Sequence, residues 1–415
     1  MPNHQFKPSL LGGVMITAGT SVGAGAFALP IISSGMWFGW AVGCMLLAWF
    51  FMYHAALYII EVNLHFYHGA SFDVLVKETL GNKVRIVSNI SLLFLFYILD
   101  YAFISGGGSL VGHALAGILE GEPARSVSVL VFLALLAPVV WIGTRAVDRV
   151  SVVLIVGMII TFSLVVGGIG LPFNFQHLLV FGTKESGLPY FYYVFAALPV
   201  YLTSFGFYAI VPSLVKYYHK DARMVFKSVL FGSLLGLLIY IVWLWTAMGN
   251  LTREQFLPII TGGGNVSLLV QTILQSAKES WLNQSLNIFA NFAIASSFLG
   301  VSISLFDFIA DKFNIEDTPA GRLKTALAVF VPPTVAVIIA PDGFIYGIGF
   351  AGLILALNGL VMPAMMVKNS RKIYPDASFK VWGGHLLRRF MIGAGVTIAL
   401  CQILVILGFL PMYGR

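Results

Sequence analysis

Charge is scarce in this chain. Asp, Glu, Lys and Arg make up 10% of its 415 residues and hydrophobic residues 59%, whereas a soluble domain carries about 25% charged side chains. A chain this apolar cannot face water all round, and lipid is the solvent it needs. The scarcity is also uneven, because no charged residue occurs between Lys7 and Glu61. A membrane helix takes roughly 20 residues, so this stretch holds two spans, with a turn supplied by Ser33, Ser34 and Gly35. Cysteine is scarcer still. Cys44 and Cys401, both inside apolar runs, exclude a disulfide framework or a metal-type spacing and read as small packing groups. A phosphate-binding glycine loop with a following lysine is missing, which argues against ATP drive. So is any set of histidines, carboxylate and nucleophile that would make an intramembrane enzyme. The first apolar segment has no small-residue cleavage site and reads as a retained span. The net charge of +7 does not point to nucleic acid, because the basic residues fall between the apolar runs.

Long apolar runs in lipid are helices, since a helix satisfies its own backbone hydrogen bonds. Eleven are expected, at about 9–33, 35–61, 86–116, 127–145, 150–171, 190–215, 226–248, 284–310, 323–340, 343–367 and 389–410. The excess of Lys and Arg in cytoplasmic loops tests that count. With the N-terminus inside, the inside segments collect 19 of the 24 Lys and Arg residues, and the outside ones hold only Arg125, Lys184, Arg253, Lys278 and Arg415. The expectation is a single transmembrane domain over 1–415, with the N-terminus cytoplasmic and the C-terminus on the far side. Its longest outside segment, about 249–283, contains Thr261, Gly262, Gly263, Gly264 and Asn265, a turn between short amphipathic pieces.

Two spans carry helix breakers at membrane depth. The first contains Gly19, Thr20, Ser21, Gly23, Gly25 and Pro30. Glycine in a helix interior costs about 1 kcal/mol relative to alanine, and proline about 3. The plain alternative is close helix packing by small residues. The sharper reading is an interrupted helix, tolerated only where it faces protein or a watery cavity. Its freed amides can bind a carboxylate, and its freed carbonyls a cation or an ammonium group. The sixth span has Pro199 and Pro212 flanking Thr203, Ser204, Phe205, Gly206, Phe207, Tyr208 and Ala209. Breaks five spans apart fit two inverted five-helix repeats, about 9–171 and 190–367, plus an extra helix at 389–410. In such folds the cargo sits between the two broken helices. Phe205, Phe207 and Tyr208, with Tyr201 one turn earlier, either pack ordinarily or wall a site for a flat ring.

At these residues the chain resembles the bacterial aromatic amino acid permeases, the tryptophan and tyrosine transporters. The matching stretches begin with Leu10, Leu11, Gly12, Gly13 and Val14, then Gly23, Ala24 and Gly25 with Phe27, Ala28, Leu29 and Pro30. Ser204, Phe205, Gly206 and Phe207 follow, with Val211, Pro212, Ser213 and Leu214. Later stretches run from Ala295 to Val301, and include Leu305, Phe306 and Asp307; Gly343, Phe344, Ile345 and Tyr346; Ala351 and Gly352; and Val381, Trp382, Gly383 and Gly384. The resemblance covers nearly the whole chain and leans toward the tryptophan branch. It implies an all-helical fold of five-plus-five inverted repeats, an inner-membrane location and uptake driven by the proton gradient. Four positions depart from the family pattern. Met158 stands where a fifth-span lysine is expected, Asp100 where the third span has threonine, and Tyr208 and Ala209 replace a histidine–glycine pair. The missing lysine leaves the coupling ion open, and the sixth-span changes leave the choice of aromatic cargo open.

Asp100 sits near the middle of the third span. An ionised carboxylate there costs about 2.5–3.5 kcal/mol on insertion scales, and no Lys or Arg lies deep in any expected span to offset it. It is either a protonated group bonded within the bundle or the partner of a mobile cation: a proton, a metal ion or the cargo's ammonium. Ser296 and Ser297 either lend hydroxyls to a cation beside the first-span carbonyls or bond within their own helix. Asp307 is expected to touch a basic loop, Glu61 to be solvated or paired, and His54 to be a core histidine. The expected function is cation-coupled symport of an aromatic amino acid, tryptophan ahead of tyrosine and protons ahead of sodium, with no cofactor and no resident metal. Ala18, Gly19, Thr20, Gly23 and Gly25 would line the carboxylate and amine end, beside Ser204. Phe205, Phe207, Tyr208 and Tyr101 would face the ring. The runner-up is exchange of an aromatic amino acid for its amine, with Asp100 holding the amine.

Overall fold

The computed structural model describes residues 8–23, 25–117, 119, 121, 123–169, 178, 189–276, 280–375 and 379–414. Ala24, Lys184, Lys278 and Arg415 lie outside them. Among the described residues the chain is helical with no strand. Among these residues ten helices are long and apolar enough to cross a membrane, and a bent pair taken as one span brings the number to eleven. That pair is α1 (Leu10–Ser21) and α2 (Gly25–Ser33), which meet at 48°. Then follow α3 (Trp37–Asn63), the short α4 (Phe72–Leu80), α5 (Asn82–Ala116), α6 (Arg125–Ile142) and α7 (Thr144–Ile169). The sixth span comprises α8 (Tyr192–Ser204), a 3-10 turn (Gly206–Ile210) and α9 (Val211–Tyr217). Beyond it come α10 (Ala222–Asn250), the short α11 (Leu257–Thr261) and α12 (Val266–Ser276), α13 (Ser280–Lys312) and α14 (Pro319–Ile339). The tenth span is α15 (Phe344–Leu355), a π segment (Ala356–Val361) and α16 (Met362–Ile373), and α17 (Gly384–Ile406) is the eleventh.

Several helices start earlier than their apolar runs. Asp221 caps α10 by accepting from the Arg223 and Met224 amides, and Thr318 caps α14 by accepting from Gly321. Long basic side chains then continue the helix into the headgroup layer by lying along it with their charges in water. The glycine-rich turn expected between short amphipathic pieces is where it was placed, between α11 and α12, with Gly263 and Gly264 at φ +76° and +78°. The π segment and α4 were not expected.

In the spans Trp37–Asn63, Tyr192–Tyr217 and Phe344–Ile373, 72% of an apolar 18-residue stretch is buried, against 17% in Thr144–Gly168. The broken sixth span and the two spans it packs on therefore form the centre, and α7 turns a lipid-facing side outward. Cys44 and Cys401 are buried, as packing groups should be.

Candidate functional site

The first break has a backbone cause. Val22 leaves the helix in an extended conformation, φ −84° and ψ 111°, while its amide still closes on the Ala18 carbonyl at 2.9 Å. The chain resumes at α2, where the Ala26 amide donates to the Gly23 carbonyl at 2.9 Å. In the sixth span, Phe205 at φ −109° and ψ 36° ends α8, and Pro212 starts α9. Thr203 Oγ1 donates to the carbonyls of Pro199 and Ile348, at 3.1 and 2.9 Å, tying the broken span to α15. The two breaks face each other closely. A Cβ on Gly25 would stand 2.7 Å from Ser204 Cβ, so only glycine lets α2 approach α8 there.

A stripe on α10 holds both breaks. Gly232, Gly236, Tyr240 and Trp243 recur at three- and four-residue spacing, which places them on one helix face. A Cβ on Gly232 would lie 2.7 Å from the Val14 carbonyl, and one on Gly236 would lie 3.0 Å from Ser21 Cβ. The missing side chains thus let α10 lie against α1. One turn further, the Tyr240 hydroxyl donates to the Ser21 carbonyl at 2.5 Å and reaches the Ser204 carbonyl at 3.2 Å. Trp243 Nε1 then donates to the Ala26 carbonyl beyond the break. Its ring packs with Phe27, Phe162 and Phe289, with centroids 5.3–6.3 Å from it. Ser21 and Ser204 are each the last residue of a half-helix, and such ends carry roughly half a negative charge. Two of them therefore converge on one hydroxyl proton. That is a place where a cation or an ammonium group can be held.

Sequence reasoning passed over Tyr240 and Trp243. The available signal was the small–small–aromatic stripe itself.

The other expected site residues divide. Gly23 meets the eighth span, since a Cβ there would stand 2.5 Å from Ser297 Oγ. Ser296 instead bonds the Ala293 carbonyl of its own helix at 3.1 Å. Ala18 is buried, Gly19 half-buried, and Thr20 exposed with its hydroxyl on the Ile16 carbonyl at 2.7 Å. Ser204 Oγ bonds back to Val200 at 2.9 Å. Phe205 stands edge-on to Tyr240 with centroids 5.4 Å apart, and Phe207 is buried. Tyr208 faces elsewhere, packing on Phe72 of α4 at 6.2 Å and on Gly359 of the π segment. Tyr101 donates to the Ala340 carbonyl at 2.8 Å, at the mouth of α15. Tyr201 meets Ser33 at 2.5 Å.

Asp100 is wholly buried. Its Oδ1 accepts from Ser302 Oγ of α13 at 2.8 Å, and its Oδ2 has no hydrogen-bond partner among the described residues. Ser302 lies five residues beyond Ser297, about 7.5 Å along the helix. Five residues also turn the helix by about 140°, so the carboxyl meets a different face of α13 from the one that meets Gly23, and it is not at the breaks. His54 is a core histidine, with Nδ1 at 2.8 Å from the Phe50 carbonyl. Asp307, expected to touch a basic loop, is exposed, and Arg322 on α14 bonds Asp317 at 2.7 Å.

At the end of the bundle poor in basic residues, Arg253 acts as a clasp. Its Nε and Nη2 donate to the Ser34 and Gly35 carbonyls at 3.1 and 2.9 Å. Its guanidinium lies 4.4 Å from the Tyr190 ring and 3.9 Å from that of Tyr413. Burial pushes the Tyr413 hydroxyl up from its ordinary pKa, against the pull of Arg253. Beside this clasp a narrow cleft of about 20 Å³ opens between Ile31, Ser34, Tyr193, Ile260, Gly264 and Tyr413.

The model of the tryptophan/tyrosine permease family matches residues 6–402. A tryptophan-specific transport protein of Pseudomonas aeruginosa (strain UCBPP-PA14) is 44% identical, over 98% of this chain and 97% of the relative. The low affinity tryptophan permease of Escherichia coli (strain K12) is 39% identical over 98% of each chain, and a tyrosine permease of Enterobacter agglomerans 34% identical over 98% of each. Among solved structures, Mhp1, a nucleobase-cation-symport-1 family transporter in a closed conformation, superposes with a TM-score of 0.59 at 12% identity, covering 100% of this chain and 98% of the other. That likeness concerns the fold.

Proposed function

Because this chain belongs to the tryptophan/tyrosine permease family, we propose that it imports an aromatic amino acid across the cell inner membrane by cation-coupled symport. Tryptophan is the first cargo and tyrosine the second, as the relatives' names suggest. The observation that carries the reading is the convergence of the Ser21 and Ser204 carbonyls at two helix breaks. These carbonyls take the ammonium group, and the amides freed around Gly23 and Gly25 take the carboxylate. Phe205 and Phe207 flank the ring end. The repeats 9–171 and 190–367 rock about this point, with the basic-rich end in the cytoplasm, the N-terminus inside and the C-terminus periplasmic.

Protons are the coupling ion, with sodium second. Asp100 supports this, because a buried carboxyl with one partnered and one free oxygen has a place for a proton. Ser297 beside Gly23 supports a cation contact at the first break, and Ser296 less so. Exchange for an aromatic amine would need Asp100 to meet that amine, and its single bond to Ser302 favours uptake.

The test is uptake into proteoliposomes with an imposed proton or sodium gradient, using labelled tryptophan, tyrosine and phenylalanine in turn. Concentrative tryptophan uptake under the proton gradient is expected. Flux that does not saturate, or that accumulates no aromatic amino acid under either gradient, would overturn the reading.

A further inference from the structure

Tyr240 belongs to no expected site, yet its hydroxyl occupies the point where both half-helices end. It is fully buried, and the close approach at Gly232 and Gly236 seats α10 against α1, which brings the hydroxyl to this point. Gly25 closes the space from the other side, because a Cβ there would stand 2.4 Å from the hydroxyl oxygen. The hydroxyl has one proton for two carbonyls. Ser21 receives it at 2.5 Å, and Ser204, at 3.2 Å, has only a share. A primary ammonium group brings three N–H donors and a full positive charge to the same two oxygens.

We propose that Tyr240 is a positioning residue that stands in for the cargo's ammonium: its hydroxyl holds the Ser21 and Ser204 carbonyls while the carrier is empty and yields them when an amino acid binds. This rests on the transport reading above and deepens it. The device has a consequence for the transport cycle. An empty carrier without this hydroxyl would have to reorient with two buried carbonyls unsatisfied, which is costly. Tyr240 therefore serves the empty return step that net uptake requires and exchange does not. The ligand class it answers to is an α-amino acid, recognised through its amine rather than its ring.

The experiment compares the full-length wild type with Tyr240→Phe, binding tryptophan and indole-3-propionate, which keeps ring and carboxylate but lacks the amine. Removing a competing hydrogen bond is expected to tighten tryptophan about three- to tenfold and to leave indole-3-propionate unchanged. Net uptake is expected to fall several-fold while counterflow from preloaded vesicles persists. Equal weakening of both ligands would mark a merely structural tyrosine and overturn the proposal, as would unchanged binding of both. Should the variant not fold, 3-fluorotyrosine encoded at position 240 of the otherwise unaltered chain gives a second readout. Its fluorine resonance is expected to move on adding tryptophan and to stay on adding indole-3-propionate; a resonance that ignores tryptophan, or answers both ligands alike, refutes the proposal. If the wild type binds no aromatic amino acid, the cargo reading falls and this inference with it. If it binds and transports but Tyr240→Phe matches it, the inference alone falls.

Discussion

The Arg371 guanidinium grips both oxygens of the Glu61 carboxylate, Nε on Oε1 at 2.6 Å and Nη2 on Oε2 at 2.8 Å. Glu61 is only 1% exposed, and the Val381 amide adds a third bond at 2.7 Å. The pair joins the end of α3 to α16 and to the segment leading into α17. Removing one partner of a buried pair leaves the other uncompensated, at a cost of about 3–5 kcal/mol. Glu61→Gln is expected to lower the unfolding temperature of the detergent-solubilised chain markedly. Arg371→Lys should not restore it, because an ammonium cannot engage both oxygens in a planar fork. Thermal unfolding of the three chains checks this.

Gly25 and Gly23 differ in what surrounds them. A methyl at Gly25 meets Ser204 Cβ at 2.7 Å and the held hydroxyl of Tyr240 at 2.4 Å. At Gly23 it meets the end of Ser297, a side chain that can rotate away. Overpacking of a close contact costs about 1–3 kcal/mol. Gly25→Ala is therefore expected to abolish uptake, and Gly23→Ala to reduce it less, with both proteins inserted in the membrane. Labelled uptake normalised to membrane content gives the comparison, and equal loss would contradict it.

Asp100→Asn retains an oxygen for the Ser302 hydroxyl but removes the group able to gain and lose a proton. Uptake by this variant is expected to ignore an imposed proton gradient while tryptophan binding at fixed pH stays within about twofold. Ser302→Ala, which takes away the hydroxyl that donates to Asp100, is expected to shift the pH dependence without removing it. A gradient response in Asp100→Asn equal to that of the wild type would place coupling elsewhere.

Asp73, on α4 outside the spans, accepts from Arg85 Nε at 2.8 Å and from Asn89 at 2.8 Å. Burial acts to raise its pKa, but those bonds and the charges of Arg85 and Lys312 outweigh it and hold the carboxyl below its ordinary value. The stabilisation is thus present above the ordinary carboxylate pKa, about 3.9, and is lost as pH falls below that through the depressed folded value. Hydrogen exchange of the α4 amides is expected to speed up at that acid end, and Asp73→Asn to exchange fast across the whole range. A pH step that survives in Asp73→Asn would assign it to another group.

Much of this was legible in the residues. Apolar length and the placement of Lys and Arg are local properties, so eleven spans could be counted without knowing their neighbours. Gly23, Gly25, Gly206 and Pro212 mark the breaks because glycine and proline weaken a helix wherever they stand. The resemblance to aromatic amino acid permeases added the cargo class, which no spacing could have given.

The contacts at the breaks were settled only by packing. Tyr240 lies 219 residues from Ser21 and 36 from Ser204, and no local pattern says which carbonyl a mid-span hydroxyl will meet. Neighbouring helix residues point about 100° apart, so a small rotation of α13 separates Ser297, at Gly23, from Ser296, bonded within its own helix. The same phase turned Tyr208 toward Phe72 and gave Asp100 a serine for its partner. Sequence determined where the chain crosses and where it breaks, because hydropathy and backbone propensity act over a few residues. The tertiary structure decided which groups meet at the breaks, because helix rotation and approach are set by every neighbour at once.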